Sequence, residues 1–267
     1  MVLIYVASFN RASDGAVSKL LERMKEEKMW TSNCDDADYI LAVGDREETF
    51  DFILGCFRDN KKIIHLWAGE ISQGTHDEVY RHSITLMSCI QLCTNQRSKG
   101  RVKDLCKSID KESNSIVVGN VMLDNLVFNE SLVPNHPYHV VLYNPPTLLS
   151  REEIIGEINS IKKLIDSCEY FWIEPNSDKY SDLVPYNTPS LPRDKYLGLL
   201  KNCNKVFTNS SSEYYEMQHL LDPLQIVHIG KRNIGRESKY SDMCILNATE
   251  NIINIFKELD VGGILCE

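Results

Sequence analysis

Short apolar runs that are rich in β-branched and aromatic residues alternate along this chain with longer segments in which apolar residues recur every three or four positions. The runs predict strands, and the longer segments predict amphipathic helices. Because strands that alternate with helices form parallel sheets with crossover helices, the pattern predicts an α/β fold. The predicted strands are Val2–Ser8, Asp38–Val43, Lys62–Ala68, Ile90–Thr94, Ser115–Gly119, His139–Asn144, Tyr170–Glu174, Lys205–Asn209 and Gln225–Gly230. The predicted helices are Ala16–Met29, Glu48–Asn60, Asp77–Cys89, Gln96–Ile109, Ser150–Cys168, Asp194–Asn202, Glu213–Leu221 and Asn247–Leu259.

A proline-containing stretch at Asn129–Tyr138 interrupts this alternation and has few periodic apolar residues. Such a stretch is the best linker candidate in the chain, and it predicts a second domain that begins at His139. The last periodic segment has the pattern of an amphipathic helix. The predicted domains are residues 1–130 and residues 139–246, followed by a helical segment at 247–267.

Composition and charge limit the classes of protein to which the chain can belong. Its 267 residues, 43% of them hydrophobic, suffice for two compact halves. A net charge of −9 disfavours a broad basic surface for nucleic acid and leaves room for a local patch. The start of the chain lacks a basic region, and no stretch approaches the ~20 apolar residues of a membrane span. Nine scattered cysteines favour a reducing compartment, so the sequence predicts a cytoplasmic protein.

Polar segments follow several of the predicted strands, where parallel α/β sheets bind their ligands. Each segment also has a purely local interpretation. A serine run before a helix is commonly an N-cap, Pro-Asn favours an Asx turn, and acidic residues at a helix start suit the helix dipole. The segments are Gly44-Asp45-Arg46, Asp77–His82, Pro175–Asp178, Asn209–Ser212 and Ile229–Arg232.

Taken in order, these segments resemble the UDP-N-acetylglucosamine 2-epimerase family, in both its hydrolysing and its non-hydrolysing branch. The resemblance runs from about Asp38 to Arg236. It implies two Rossmann-like domains with parallel sheets that face a cleft, the architecture of many glycosyltransferases (GT-B), here with a trimmed N-terminal domain. The N-terminal domain would take the sugar or acceptor side and the C-terminal domain the UDP side. The last helix would pack back across the junction.

On the UDP side, the resemblance implies a set of nucleotide-binding residues. The segment that starts at Asn209 resembles Asn-Ser-Ser-Ser-Gly-x-x-Glu, whose serines hold the diphosphate and whose glutamate takes the ribose hydroxyls. Pro175–Asp178 resembles Pro-Asn-x-Asp, and His228–Arg236 resembles the basic loop Asn-Ile-Gly-x-Arg-Gln-x-Gly-Arg. The implied binding residues are Asn144, Asn176, Asn209, Ser210, Ser211, Ser212, Glu216, Lys231, Arg232 and Arg236.

On the sugar side, the resemblance implies carboxylates that move protons. Epimerisation at C2 needs a base for the weakly acidic C2 proton and an acid that assists UDP departure, and shifted carboxylate pKa values permit both roles. The implied proton carriers are Asp45, Glu70 and Glu78. Arg11, Arg81 and His82 are the implied binders on this side.

The chain departs from the family pattern at positions that carry its chemistry. Glu213 stands where the family has glycine, and a carboxylate beside a diphosphate is unfavourable unless it points away. Trp67 replaces a family glutamate, and Asn144 replaces a family histidine. Asparagine can form hydrogen bonds but does not exchange protons near neutral pH.

These departures leave three functions open. The first is an enzyme that epimerises or hydrolyses a UDP-sugar through C2 deprotonation and UDP elimination. The second is a glycosyltransferase that moves the sugar to an acceptor, with a modified base in viral DNA as one example. The third is a non-catalytic nucleotide-sugar-binding protein. We expect no cofactor besides the UDP-sugar substrate, no metal and no membrane partner, and we leave a homodimer and a nucleic-acid acceptor open.

Overall fold

The computed structural model describes residues 2–9, 11–165, 168–236 and 247–260, without the side chains of residues 11–13 and 260. Two sheets form its framework, one in the order β1-β2-β3-β4-β5 and one in the order β7-β6-β8-β9. Every neighbouring pair within these sheets is parallel, so the predicted α/β fold with parallel sheets is confirmed. The strands are β1 Ile4–Ala7, β2 Tyr39–Val43, β3 Lys62–Leu66, β4 Ile90–Cys93, β5 Ser115–Val117, β6 Tyr138–Leu142, β7 Glu169–Trp172, β8 Lys205–Thr208 and β9 Ile226–His228.

The chain divides into two compact units, each built around one of the sheets. Unit 1 contains β1 to β5 and extends through Asn125, and the C-terminal helix α9 also belongs to it. Apolar side chains of α9, among them Ile252 and Phe256, pack in the same core as Ile4 and Leu41 from the strands. The helices of this unit are α1 Arg11–Ala16, α2 Ser18–Glu26, α3 Glu47–Arg58, α4 Asp77–Met87, α5 Gln96–Lys107 and α9 Ala248–Asp260.

Unit 2 begins its main stretch at Leu126 and contains β6 to β9. Its sheet has a core on both faces, because Val140 and Val206 pack with one apolar cluster while Val141 and Phe207 pack with another. Such two-sided burial is expected for a parallel sheet covered by helices. The helices of this unit are α6 Arg151–Leu164, α7 Arg193–Asn202 and α8 Gln218–Leu220.

A six-residue segment from the N-terminal half of the sequence, Ile71–His76, also belongs to unit 2. We call it the strap. Gln73 N donates to Ile234 O at 3.0 Å, and His76 N donates to Thr147 Oγ1 at 3.0 Å. A methyl group at Gly74 would lie within 3.0 Å of the backbone of the Lys231–Arg232 loop. The strap therefore depends on a residue without a side chain for its close backbone packing.

The predicted elements match the observed ones in order. Most of their bounds differ by a few residues, and the largest differences are at three helices. The first helix begins at Arg11 rather than at Ala16, because Arg11–Ala16 forms the short helix α1 ahead of α2. α6 ends at Leu164, before the predicted Cys168. The segment predicted as a helix from Glu213 begins as a π-helix, Glu213–Met217, and only its end is α-helical. Within the described residues, no helix has both the length and the apolar character that a membrane crossing requires.

Candidate functional site

In unit 1, Arg81 joins two of the predicted proton carriers. β2 ends at Val43, and Gly44 turns the backbone with a φ of 84°, which places Asp45 at the end of the strand. The buried Arg81 of α4 forms an ion pair with Asp45 and donates to Glu78 Oε2 at 2.9 Å and to the Glu70 carbonyl at 3.2 Å. The structure therefore brings Asp45, Glu78 and Arg81 together around one guanidinium.

Both carboxylates of this cluster remain in contact with water. The side chains of Asp45 and Glu78 are 25% and 20% exposed, whereas that of Arg81 is 3% exposed. His82 lies next in the chain, with its Nε2 at 3.1 Å from Glu78 Oε1. Because a neighbouring cation favours the ionised form of a carboxylate, the cluster presents two anionic oxygen groups whose orientation is fixed from behind.

The third predicted proton carrier, Glu70, is held separately and is largely buried. Its Oε1 accepts hydrogen bonds from Thr94 and, at 3.0 Å, from Ser98 Oγ. Trp67, at the position of the missing family glutamate, has a left-handed φ of 67° and packs against the unit 1 core. Glu70 is thus oriented by two hydroxyl groups, and at Trp67 an apolar ring takes the place of a carboxylate.

The sequence pattern gave no indication of a role for His65, which is fully buried in β3. Its Nδ1 lies 2.9 Å from Thr85 Oγ1 of α4. Burial lowers the pKa of His65 to about 3, so the ring is neutral near neutral pH. The backbone of Gly44 and the side chain of His82 also affect this pKa.

In unit 2, a network of asparagines fixes the loops at the strand ends. Asn209, fully buried after β8, accepts from Asn144 N at 2.8 Å and donates to Asn144 O at 2.7 Å. Asn144 Oδ1 accepts from Asn176 N at 2.8 Å, and Asn233 Nδ2 donates to Asn209 O at 2.6 Å. The three asparagines predicted as binders are brought together, and the side chains of Asn144 and Asn209 hold backbone groups of neighbouring loops.

The serine run leads into the π-helix. Ser211 is exposed, Ser210 is half-buried, and Ser212 is buried. Ser210 Oγ accepts from Ser212 N at 3.3 Å, which closes a tight turn directly after β8. A single π-turn inside a helix is rare and is frequent at functional sites. Two hydroxyl groups of the run, those of Ser210 and Ser211, therefore reach the surface of unit 2.

Glu216, predicted to bind the ribose, is a buried carboxylate with 1% exposure. Arg193, the first residue of α7, forms an ion pair with it, and Ser212 Oγ donates to its Oε2 at 2.6 Å. Tyr196 OH lies 2.9 Å from Ser212 Oγ, and burial raises the pKa of this phenol. Since the Ser212 proton is directed to Glu216, Tyr196 donates to Ser212. Arg193 and Tyr196 are partners that the sequence did not indicate.

Glu213 points away from the serine run and towards β9. Its Oε2 lies 2.9 Å from His228 Nδ1, and the two side chains are 10% and 43% exposed. This hydrogen bond raises the pKa of His228 above its ordinary value. The carboxylate expected to be unfavourable beside a diphosphate is thus paired with His228, whose protonated form it favours.

The basic glycine loop after β9 uses its three cations in different ways. The buried Arg232 forms an ion pair with Asp178 Oδ2 at 2.9 Å and donates a hydrogen bond to Pro145 O at 2.8 Å. Arg236 donates to Ile71 O of the strap at 2.7 Å and lies over the rings of two tyrosines of the π-helix. Lys231 is exposed. Of the three predicted cationic binders in this loop, Lys231 is therefore the most accessible. Arg232 instead joins the loops that follow β6, β7 and β9.

The remaining predicted binder of unit 1, Arg11, is the first residue of α1. Its side chain lies outside the described part of the structure. Within each unit the other predicted residues are placed at the carboxyl ends of strands or in the helix or loop that follows, where parallel sheets bind ligands. The sequence missed Thr94, Ser98, Arg193 and Tyr196, because each contacts a predicted residue from a distant part of the chain. It also missed His65, whose partner Thr85 carries no motif.

Comparisons with known proteins give a consistent result. A family model described as UDP-N-acetylglucosamine 2-epimerase matches residues 7–261. The polysialic acid biosynthesis protein P7 of Escherichia coli is 27% identical over 224 residues, which cover 74% of this chain and 56% of that protein. The UDP-N,N′-diacetylbacillosamine 2-epimerase (hydrolyzing) of Legionella pneumophila is 27% identical over 232 residues, which cover 75% of this chain and 58% of that protein. The chain thus spans somewhat more than half the length of these curated relatives.

Solved structures show the same fold. The S. aureus MnaA-UDP co-structure has a TM-score of 0.64 at 14% identity and covers 97% of this chain and 88% of that chain. The UDP-N-acetylglucosamine 2-epimerase from Rickettsia bellii has a TM-score of 0.64 at 10% identity, with 98% of each chain covered. At such identities the likeness concerns the fold alone, and it agrees with the predicted Rossmann-type, GT-B-like architecture.

Proposed function

Because the chain belongs to the UDP-N-acetylglucosamine 2-epimerase family, we propose that it is an enzyme that binds a UDP-sugar and inverts or hydrolyses it through chemistry at C2. The support is the agreement of two independent features. One is the family membership of nearly the whole chain. The other is the cluster of water-accessible carboxylates on Arg81 in unit 1.

The proposed reaction has three steps. A carboxylate takes the C2 proton, the C2–H electron pair forms a C1=C2 double bond, and the C1–O bond breaks with UDP as the leaving group. The resulting glycal is re-protonated at C2. UDP re-addition at C1 gives the epimer, whereas addition of water gives the free sugar. No cofactor besides the nucleotide sugar takes part in this scheme.

The observation that carries the proposal is the placement of Asp45 and Glu78. Both are partly exposed, and both are bound to a guanidinium that is itself buried, so their oxygens are oriented without being sealed off. Glu78 additionally contacts the imidazole of His82, whose Nε2 lies 3.1 Å from Glu78 Oε1. We assign Glu78 as the base at C2, with His82 as its proton partner and Asp45 as a second proton carrier.

The nucleotide is assigned to unit 2. The hydroxyls of Ser210 and Ser211 and the ammonium of Lys231 are the accessible donors at the ends of β8 and β9. Hydroxyl and ammonium donors suit a diphosphate, which offers only acceptors. The amide network and Arg232 then support the loops on which these donors stand.

The test is hydrogen exchange at C2. Turnover of UDP-N-acetylglucosamine in heavy water should place deuterium at C2 of the recovered sugar, since the glycal is re-protonated from groups that exchange with solvent. Glu78→Gln keeps the shape of the side chain and removes the proton acceptor, so exchange should fall by at least ~10²-fold. UDP affinity should stay close to that of the unsubstituted protein.

A matched control is Glu152→Gln, which changes an exposed glutamate in the first turn of α6, as Glu78 is in the first turn of α4. It should leave exchange unchanged. Exchange that survives Glu78→Gln would remove Glu78 from the catalytic assignment. Consumption of the donor only with an added acceptor, with C2 never exchanging, would replace the whole proposal by a glycosyltransferase.

The finer properties of the protein belong to the same proposal. We place it in the cytoplasm, since four of its cysteines are buried core side chains, as reduced thiols commonly are. These are Cys56, Cys93, Cys106 and Cys203. A homodimer stays a prediction, to be checked by light scattering of the purified chain.

A further inference from the structure

Two departures from the family pattern meet in unit 2. Glu213 stands where the pattern has glycine, and His228 stands where it has asparagine. The two positions are 15 residues apart, yet His228 Nδ1 lies 2.9 Å from Glu213 Oε2. The two side chains therefore form one hydrogen-bonded pair between distant parts of the chain.

The pair lies between the segments that the proposed function assigns to the diphosphate. Glu213 directly follows the serine run, and its backbone N–H donates to Ser210 O at 3.1 Å. His228 ends β9 and directly precedes the basic glycine loop with the exposed Lys231. A change in the charge of the pair is therefore felt at both segments.

The charge of the pair depends on one proton. The hydrogen bond that His228 donates to Glu213 raises the pKa of His228 against the opposing effect of burial, and Glu157 of α6 and the backbone of Gly230 also raise it. Glu157 in turn accepts from Tyr143 OH at 2.7 Å. With His228 protonated, the pair is neutral. With His228 neutral, a net negative charge remains beside the place of an anionic ligand and repels it.

We infer that Glu213 and His228 form a proton-linked pair that sets the affinity of the diphosphate site, with tighter binding of a UDP-sugar when His228 carries its proton. The inference rests on the proposed function, because it takes the diphosphate as the ligand of these segments. Linkage is reciprocal, so a bound UDP-sugar holds the proton on His228. The pair is a positioning and charge-balancing element and takes no part in the chemistry at C2.

The experiment measures binding of UDP-N-acetylglucosamine by calorimetry on the full chain carrying Glu78→Gln, which blocks turnover. The diphosphate diester keeps a constant charge between about pH 6 and pH 8.5, so any pH dependence in this window comes from the protein. The dissociation constant should rise about three- to tenfold across the window. The rise should shrink in about 0.5 M salt.

Three variants separate the pair from other titrating groups. His228→Asn keeps Glu213 uncompensated, so binding should be weak and independent of pH. Glu213→Gln removes the negative charge and the contact that raises the pKa of His228, so binding should be tight even at pH 8.5 and its pH dependence should move to lower pH. Glu213→Gly with His228→Asn restores both family residues and should also bind tightly without a pH dependence.

An NMR titration gives a second readout that loss of folding cannot imitate. The pKa of His228 should be higher with UDP-N-acetylglucosamine bound than without it. Saturable binding with equal pH dependence in the unsubstituted chain and in Glu213→Gln would overturn the inference and leave the proposed function standing. Absence of binding in every folded variant, including the one with both family residues, would overturn the proposed function and the inference with it.

Discussion

Each unit of the protein contains one buried arginine at the carboxyl ends of its strands, and the two arginines have different partners. Arg81 in unit 1 is bound to Asp45 and Glu78, whose side chains are a fifth to a quarter exposed. Arg232 in unit 2 is bound to Asp178, which is 4% exposed, and to a backbone carbonyl. The sequence suggested ligand-binding cations at both positions, and the exposure of the partners separates them.

The difference shows that a buried cation can either orient accessible carboxylates or hold loops together. A guanidinium with partly exposed carboxylate partners orients oxygens that a substrate can reach. A guanidinium whose partner is also buried has no anionic group left at the surface, and it contributes by holding loops together. Unit 1 therefore has the geometry of a chemical site, and the arginine of unit 2 has that of a frame for a binding surface.

The largest expected effect on stability follows the removal of Arg232, which holds loops of unit 2 together. Arg232→Met should lower the free energy of unfolding by about 3–5 kcal/mol, because it removes the cation beside a buried carboxylate. Urea denaturation monitored by tryptophan fluorescence measures the loss. Lys231→Met, at the exposed neighbouring position, is the matched control and should change stability by less than about 0.5 kcal/mol. A small loss of unfolding free energy in Arg232→Met would mean that the buried carboxylate of Asp178 is stable without this cation.

A smaller loss of stability is expected at the chemical site. Arg81→Met should cost about 2–3 kcal/mol, since hydrogen bonds to charged groups are lost but Asp45 and Glu78 still reach water. Arg81→Met should also lower the rate of C2 exchange by at least about 10²-fold, because both carboxylates lose their orientation. If Arg81→Met destabilised as much as Arg232→Met while exchange persisted, the comparison would be reversed.

The buried histidine of unit 1 should make the stability of the protein sensitive to acid. His65 is buried and neutral, with a pKa of about 3, so its contribution to stability is complete above the unfolded value of about 6.5 and is lost as pH falls below it. At pH 5 the loss should reach about 2 kcal/mol. His65→Gln, which cannot titrate, should show a flatter dependence of unfolding free energy between about pH 7 and pH 4. Equal slopes would contradict the buried neutral imidazole.

The smallest expected effect concerns the strap. Gly74→Ala places a methyl group against the backbone of the Lys231–Arg232 loop and should cost about 1–2 kcal/mol. Gly55→Ala in α3 is the control, because a methyl group there meets no atom within 4 Å and should stabilise the helix by about 0.5–1 kcal/mol. If Gly74→Ala and Gly55→Ala changed the free energy of unfolding in the same direction, the close packing of the strap would be refuted.

The order of strands and helices could be predicted because it depends on local pattern. Apolar runs such as Tyr39–Val43 have no charged residue, and the polar segments that end them follow at once in the sequence. α1 was missed because Arg11–Ala16 has a glycine and little apolar periodicity.

The contacts of the site could be predicted only in part, because they join distant residues. Asp45 and Arg81 are 36 positions apart, and Glu70 and Ser98 are 28 apart. A motif identifies one partner of such a pair and gives no information on the other. Arg193, which neutralises Glu216 from another helix, is invisible in the sequence for the same reason.

The strap limits where this protein can be divided into fragments or exchanged between relatives. Its six residues belong to unit 2, while the chain on either side of them belongs to unit 1, so neither unit is one continuous stretch. A gene divided near residue 126 would give a second fragment that lacks residues 71–76. A chimaera that exchanges the C-terminal half for that of a relative would join a strap from one protein to a glycine loop from another. Successful domain exchange therefore requires that the strap travel with the loop on which it packs.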